Sequence, residues 1–479
     1  MTEPGSGRAG YFVNGIGINP TLVFARGSML GVTLINELPQ PTTIHWHGLS
    51  APSRYDGAGF DPVLPGKAFH YHFQIEDRAG AYWYHPHPHH FTAEQVYHGM
   101  AGLVIVRDAE DLAIEKTLGT KLGETDLPIV LQDAYYKQEF WQPYTPDNAD
   151  CLDGFFGNAV HANGAHNAQF VVSAGLVRLR LVNASTARGL LLAFKQGERD
   201  VPFMIVGNDG GRLPMAQLEA RAFLYPAERL DIVIDCSELK AGERIQAHSL
   251  AFDNRHQHEE AKPKENSHRE MKAASAYPRL SAYAWCASPA STSNTQARAD
   301  MADDGAALPV FTLLANNQKR RLGEIPAAQM SPFLSIISPR KPPDRTFRLD
   351  LDGERGWTIA GKKFNDPDAA IRVQRGAKEV WEIHNAPISM PHPIHLHGFH
   401  FRVLSRTALF GPAKALARHE GNLLSSDLGW KDTVTVWPNE RVRIAIDFST
   451  SHEGVQRYMF HCHNLEHEDA MMMLPVEVV

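Results

Sequence analysis

The sequence predicts an all-β protein of three consecutive β-sandwich domains. Three observations carry this: the chain length, recurring short alternating strands, and two matching segments at opposite ends. At 479 residues the chain is too long for one hydrophobic core. A domain usually takes roughly 100–200 residues, so about three are expected. The run GKAFHYHFQI puts Phe69, Tyr71, Phe73 and Ile75 on one face and His70 and His72 on the other, the period of a half-buried strand. VRLRLVN, RLDIVID and RVRIAIDFS alternate likewise, and turn signals such as WPNE separate them. Long amphipathic helices are hard to find, which points to antiparallel sandwiches.

The matching segments set the boundaries. Near the start stand HWHG (His45–Gly48), HPHPHH (His85–His90) and the strand-like GLVIV. Near the end stand HLHG (His395–Gly398), HCH (His461–His463) and LPVEVV. An HxHG followed by a second HxH, each set closing on a strand, reads as an internal repeat. The middle third has strands but no such pairs. Domains are therefore expected at 1–112, 113–305 and 306–479. Within the second, residues 251–306 are polar and read as an insertion or linker. His256, His258 and His268 there read as solvated residues rather than an accessory metal loop.

Composition narrows the function. With 43% apolar residues, 21% charged residues and a net charge of −7, the chain looks like an ordinary globular protein, and nothing argues for a nucleic-acid or anionic-membrane partner. No apolar run is long enough for a transmembrane helix. The start, MTEPGSGRAG, lacks the features of a signal peptide. The compartment stays open: secreted or periplasmic if a leader was removed, otherwise cytoplasmic. Four cysteines (Cys151, Cys236, Cys286, Cys462) are too few for a disulfide scaffold. The first three need no catalytic role and leave at least one free thiol unless pairing is intermolecular.

The chemistry lies in HCHNLEHEDAMMM, from His461 to Met473. In a strand, Cys462 points one way while His461 and His463 point the other. Two separate metal sites, joined through a few backbone bonds, suit that geometry better than one. On the cysteine side, His467 and Met472 follow, and His392 in HPIHLHG can reach in from a neighbouring strand. One thiolate, two imidazoles and a weak thioether make a blue-copper electron-transfer site. On the histidine side the chain offers four HxH pairs: His45/His47, His85/His87, His395/His397 and His461/His463. Eight such ligands suit a cluster. A closed tetrahedral zinc site takes only four.

On HWHG, HPH, HPIHLHG and HCHNLEHEDAMM, with TTIHWHGL, YWYHPH, VYHGMAGLVIV and WKDTVTV, the sequence resembles the multicopper oxidases (laccases, spore-coat laccase, bilirubin oxidase and copper-efflux oxidases) over nearly its whole length. The resemblance implies three cupredoxin-like Greek-key domains and four copper ions per chain. It implies that His392, Cys462, His467 and Met472 hold a type 1 copper, and His45 and His395 a type 2 copper. His47, His85, His87, His397, His461 and His463 would hold a type 3 pair, with the cluster between the first and third domains. HPHPH also allows the register His87/His89; YWYH aligns with the family's aromatic lead-in and favours His85/His87. Met471 and Met473 compete with Met472, which the spacing from Cys462 favours. The first domain looks short, and FVNGIGINPTL lacks the usual proline–glycine–proline run. Prolines 86 and 88 lack backbone donors, so their strand lies at an edge or breaks.

The same resemblance implies a mechanism. A reductant gives single electrons at the type 1 site, with His467 as an exposed receiving edge. They pass through Cys462 to His461 and His463, and dioxygen is reduced to water. Asp56 in RYDG and Glu468 in EHED resemble the family's acidic residues that serve the cluster. Asp56 is otherwise a turn residue, Glu468 otherwise a partner that fixes a histidine, and Asp469 reads as structural. His98 and His384 read as packed histidines. The expected reductants are phenols and aromatic amines, the expected state a monomer. The close rival is a metallo-oxidase of Cu(I), Fe(II) or Mn(II), or a bilirubin-oxidase-like activity. The scattered methionines lower the Cu(I) case. More remote are a copper-free cupredoxin scaffold, against which the complete ligand set speaks, and a copper nitrite reductase.

Overall fold

The computed structural model describes residues 20–254, 301–319, 341–407 and 411–479. Most of the 251–306 insertion, with its histidines and Cys286, lies outside these, as does the segment before Pro20. Among the described residues strands dominate and no helix is long and apolar enough to cross a membrane.

The first unit pairs Met29–Ile35 with Ala68–Gln74, beside a three-stranded sheet in which Gly102–Arg107 lies between Leu22–Ala25 and Gly80–Tyr84. Tyr71, Phe73 and Ile75 are buried with Trp46 and Tyr84, while His70 and His72 face solvent. The alternation read from the sequence thus holds. The edge strand Gly80–Tyr84 ends just before Pro86, where a proline cannot donate to a ladder. His85 then forms a single bridge to His45, which sets two HxH segments side by side.

The middle unit packs a seven-stranded sheet on a six-stranded one. In Leu176–Asn183, Val177, Leu179 and Leu181 enter its core. The alternate residues are buried too. Val182 packs with Ala81, Trp83 and Leu103 of the first unit. Arg178 and Arg180 sit among Asp111, Asp126 and Asp231, the pairing that buried guanidinium groups require. Leu308–Lys319 pairs with Gln169–Ala174 and Arg244–Ser249 of this unit. The sheet therefore draws the seam after residue 319, not at 305 as the sequence reading put it. A strand read alone does not say which sheet it completes, and the intervening insertion hid this one's origin.

The third unit holds two five-stranded sheets. Gln456–Cys462 pairs with Met473–Val478 on one side and His392–Leu396 on the other. Its core includes Phe347, Trp381, Phe460, Cys462 and Met472. The cysteine and the axial candidate therefore share one sandwich interior.

Candidate metal centres

Along Gln456–Cys462, His461 pairs with His395, and Cys462 with Ile394. Cys462 points into the third unit's core, while the flanking imidazoles point toward the first unit. Cys462 Sγ lies 3.4 Å from His392 Nδ1 and 3.6 Å from His467 Nδ1. Asn464 shapes this turn. Its backbone N–H donates to Cys462 Sγ at 3.4 Å, and its side-chain oxygen caps the short helix Leu465–Asp469 through the His467 N–H. Met472 is buried with Cys462, whereas Met471 and Met473 pack on the opposite side with Met459, Ala58, Phe60 and Phe364. Sharing the Cys462 core thus favours Met472 over its neighbours.

His467 departs from expectation. The ring is fully buried. Its Nε2–H donates to the Leu152 carbonyl oxygen at 2.8 Å, and Trp357 tilts against it with centroids 5.4 Å apart. The helix Asn148–Asp153 of the middle unit covers the ring. Nothing in HCHNLEHEDAMMM signals this cover, because it comes from more than three hundred residues away.

On the opposite side all eight paired histidines are buried. His45 Nε2 faces His395 Nε2 at 3.4 Å. His85 Nε2 lies 3.4 Å from both His47 Nδ1 and His463 Nε2. His397 Nε2 faces His461 Nε2 at 2.9 Å, and His87 completes that triad. The close contacts thus link His45 with His395, His85 with His47 and His463, and His397 with His461 and His87. His89 packs on Phe364 instead, its centroid 4.6 Å away, so His85 and His87 are the pair that faces the cluster. Burial, then the neighbouring imidazoles, hold His45 far below the usual histidine range, and burial takes His85 down to about 3. Ring nitrogens that converge in this way, with His87 Nε2 left without a hydrogen-bond partner, are a donor set that fits metal ions. Burial also drives the Cys462 thiol up, which a coordinated cation would reverse.

Carboxylates hold the backs of these rings. Asp56 Oδ2 accepts from His397 Nδ1 at 2.7 Å, and the Asp56 carbonyl accepts from His45 Nδ1 at 2.8 Å. Burial raises the Asp56 carboxyl well above its ordinary range, and its Oδ1 has no hydrogen-bond partner. Gly57 follows at φ 77, where a side chain would strike the Ile44 carbonyl. Glu468 places its oxygens 3.5 Å from His87 Nδ1 and 3.2 Å from His461 Nδ1. Neither oxygen meets hydrogen-bond geometry with a partner. Asp469 accepts from the Thr92 and Ala93 N–H groups, and so ties the third unit to the first, in keeping with a structural role. Asp432 was missed. It sits in WKDTVTV, yet the motif alone does not reveal that its Oδ1 lies 3.1 Å from His47 Nε2 and its carbonyl 2.8 Å from His395 Nδ1.

Cys151 is disulfide-bonded. Cys236 is a buried free thiol.

The chain is similar to known proteins over nearly all its length. Descriptions of the multicopper oxidase family match residues 2–111 and 338–479. Multicopper oxidase mco of Staphylococcus haemolyticus is 30% identical over 99% of this chain and 84% of its own. The chain belongs to the multicopper oxidase family. Laccase of Bacillus subtilis and cell division protein FtsP of Xenorhabdus nematophila are each 27% identical, over 97% and 95% of this chain and 89% and 82% of theirs. Among solved structures, McoA multicopper oxidase of Aquifex aeolicus superposes with a TM-score of 0.77 at 27% identity, covering 96% of this chain and 89% of that one. The three units of this multicopper oxidase are therefore cupredoxin-like.

Proposed function

We propose that this multicopper oxidase takes single electrons from small aromatic reductants and delivers them to dioxygen, forming water. The ligand set carries the reading: Cys462 beside His392 and His467 on one side, and eight buried histidines gathered on the side to which His461 points. Cys462, His392, His467 and Met472 would hold one copper, and the eight histidines three more. Bound copper supplies one-electron redox storage and an open position for dioxygen. The chain's part is to orient and to supply protons. Cys462 is covalently continuous with His461 and His463, so the backbone links the two centres. Asp56, with one oxygen on His397 and the other without a hydrogen bond, 3.6 Å from His45 Nδ1, would hold a proton beside the cluster. Glu468 faces His87 and His461 and is assigned the matching role there.

The reductant meets the protein over Leu152. Asp153 and Gly154, which follow it, line an open cavity of about 540 Å³ with Phe156, Phe252 and Met301. Asp150, Asp253, Asp303 and Asp304 also line it. Aromatic walls suit a ring and carboxylates suit a cation. This favours aromatic amines over phenolates. A second reading, oxidation of Fe(II) or Mn(II), rests on the same carboxylates, which are hard oxygen donors. The Leu152 carbonyl, bonded to His467, connects the cavity to the thiolate site.

The test is to load the full chain with copper, count ions per chain, and compare oxygen uptake with a phenol, an aromatic amine, Cu(I), Fe(II) and Mn(II). Four coppers and fastest turnover with the amine support the proposal. Fe(II) or Mn(II) far ahead would select the second reading. Failure to bind copper would leave the scaffold reading.

A further inference from the structure

We propose that Arg229, in the domain that supplies no metal ligand, is a positioning residue for the histidine cluster, acting through Asp432 and seated in the gap left by Gly48. The inference rests on reading the eight histidines as copper ligands.

Arg229 is fully buried at the meeting point of three domains. Its Nη1 donates to Asp432 Oδ1 at 2.7 Å, and its Nη2 donates to Asp432 Oδ2, a bidentate fork. Its remaining donors reach the Ala81 carbonyl of the first domain (3.2 Å) and the Asp209 and Ala227 carbonyls of its own (2.9 and 2.8 Å). Each donor is thereby committed, and the guanidinium cannot turn without leaving a carbonyl bare.

What Arg229 holds is the acceptor that fixes two ligands. With Asp432 Oδ1 against His47 Nε2, the proton of that ring sits on Nε2, and Nδ1 is the nitrogen turned toward His85. In the two facing pairs, His45 with His395 and His397 with His461, it is Nε2 that faces inward. His47 thus presents the opposite nitrogen from these rings, and Asp432 sets that choice. The Asp432 carbonyl receives His395 Nδ1–H at 2.8 Å, and Thr433 Oγ1 donates to Oδ1 at 2.9 Å. A carboxylate behind a ligating imidazole fixes its tautomer and strengthens its donor nitrogen. The arginine's fork holds that carboxylate aimed at the ring.

Gly48 is an independent sign that the seat is built. It has φ +85, and a Cβ there would lie 2.6 Å from Asp432 Oδ2 and 2.7 Å from Arg229 Nη2. The glycine that closes HWHG therefore keeps the space in which a residue of the second domain meets one of the third.

The experiment compares copper-loaded full-length wild type, Arg229→Gln and Arg229→Lys. Copper per chain, chelator-driven copper release, the thiolate-to-copper absorption and the copper paramagnetic resonance spectrum are read. Arg229→Gln should keep the thiolate absorption and release cluster copper about 10–100-fold more readily. Arg229→Lys keeps the charge without the fork and should fall between the two. Wild-type release and an unchanged spectrum in Arg229→Gln would overturn the proposal. So would loss of both centres in step with a fall in thermal stability, the mark of a merely structural role. If Arg229→Gln does not fold, the lysine variant decides: wild-type cluster retention in it refutes the fork. A wild type that takes up no cluster copper would refute the ligand reading instead, whatever the variants do.

Discussion

The Leu152 carbonyl oxygen and His467 Nε2, 2.8 Å apart, join the second domain to the thiolate site of the third. The imidazole edge that would receive electrons is therefore reached through a backbone carbonyl rather than by touching the ring. Asp153, next in sequence, already lines the outer cavity.

That relationship predicts a charge effect on substrate. Asp153→Asn combined with Asp303→Asn should raise KM for a cationic aromatic amine several-fold while leaving KM for a neutral phenol nearly unchanged. Raising ionic strength should imitate the substitutions, because exposed charges are screened beyond about 10 Å at 0.1 M salt. Equal changes for both substrates would remove the carboxylates from substrate selection.

Replacing Cys462 with serine should abolish the blue absorption and reductant-driven oxygen uptake. Copper at the eight histidines, to which Cys462 contributes no side chain, should largely remain. Metal analysis with oxygen electrode traces checks this, and full turnover in the variant would rule out the route through Cys462.

His395→Ala should leave the thiolate absorption intact and stop oxygen consumption, since His395 faces His45 across the cluster and takes no part on the cysteine side. Unchanged oxygen uptake would contradict its placement among the ligands.

Glu468→Gln keeps the shape and loses the charge beside His87 and His461. A proton-supplying role predicts oxygen reduction slowed about 10²–10⁴-fold with near-normal copper content. Lost copper with a proportionate loss of rate would instead make it an anchor for the rings.

Away from the metal sites, Glu440 offers a pH test. Burial pushes its carboxyl up to about 6 although Arg406 draws it down. A folded pKa above the unfolded one stabilises the acid side. That contribution, about 2 kcal/mol for a shift of this size, is complete below the unfolded pKa near 4.5 and lost as pH rises through 6. The melting temperature of Glu440→Gln should therefore gain on wild type between pH 4.5 and 6, as calorimetry can follow; a constant difference would refute the assignment.

Much of this was legible in the residues themselves. Alternation in GKAFHYHFQI and HCH is local, because a strand's side chains must take opposite faces whatever surrounds them. It placed Cys462 apart from His461 and His463, and His70 apart from Tyr71. Prolines 86 and 88 announced the break after Tyr84 for the same local reason. The crowding of histidines in HxH pairs beside a cysteine pointed to metal chemistry for the same local reason.

The tertiary structure alone decided what depends on distant chain segments meeting. The seal of Leu152 over His467, the fork of Arg229 on Asp432 and the return of Leu308–Lys319 to the middle sheet each join residues far apart in the chain. No periodicity encodes such meetings. They arise when three separately formed sandwiches bury their shared faces, and the polar groups trapped there must find partners on another domain.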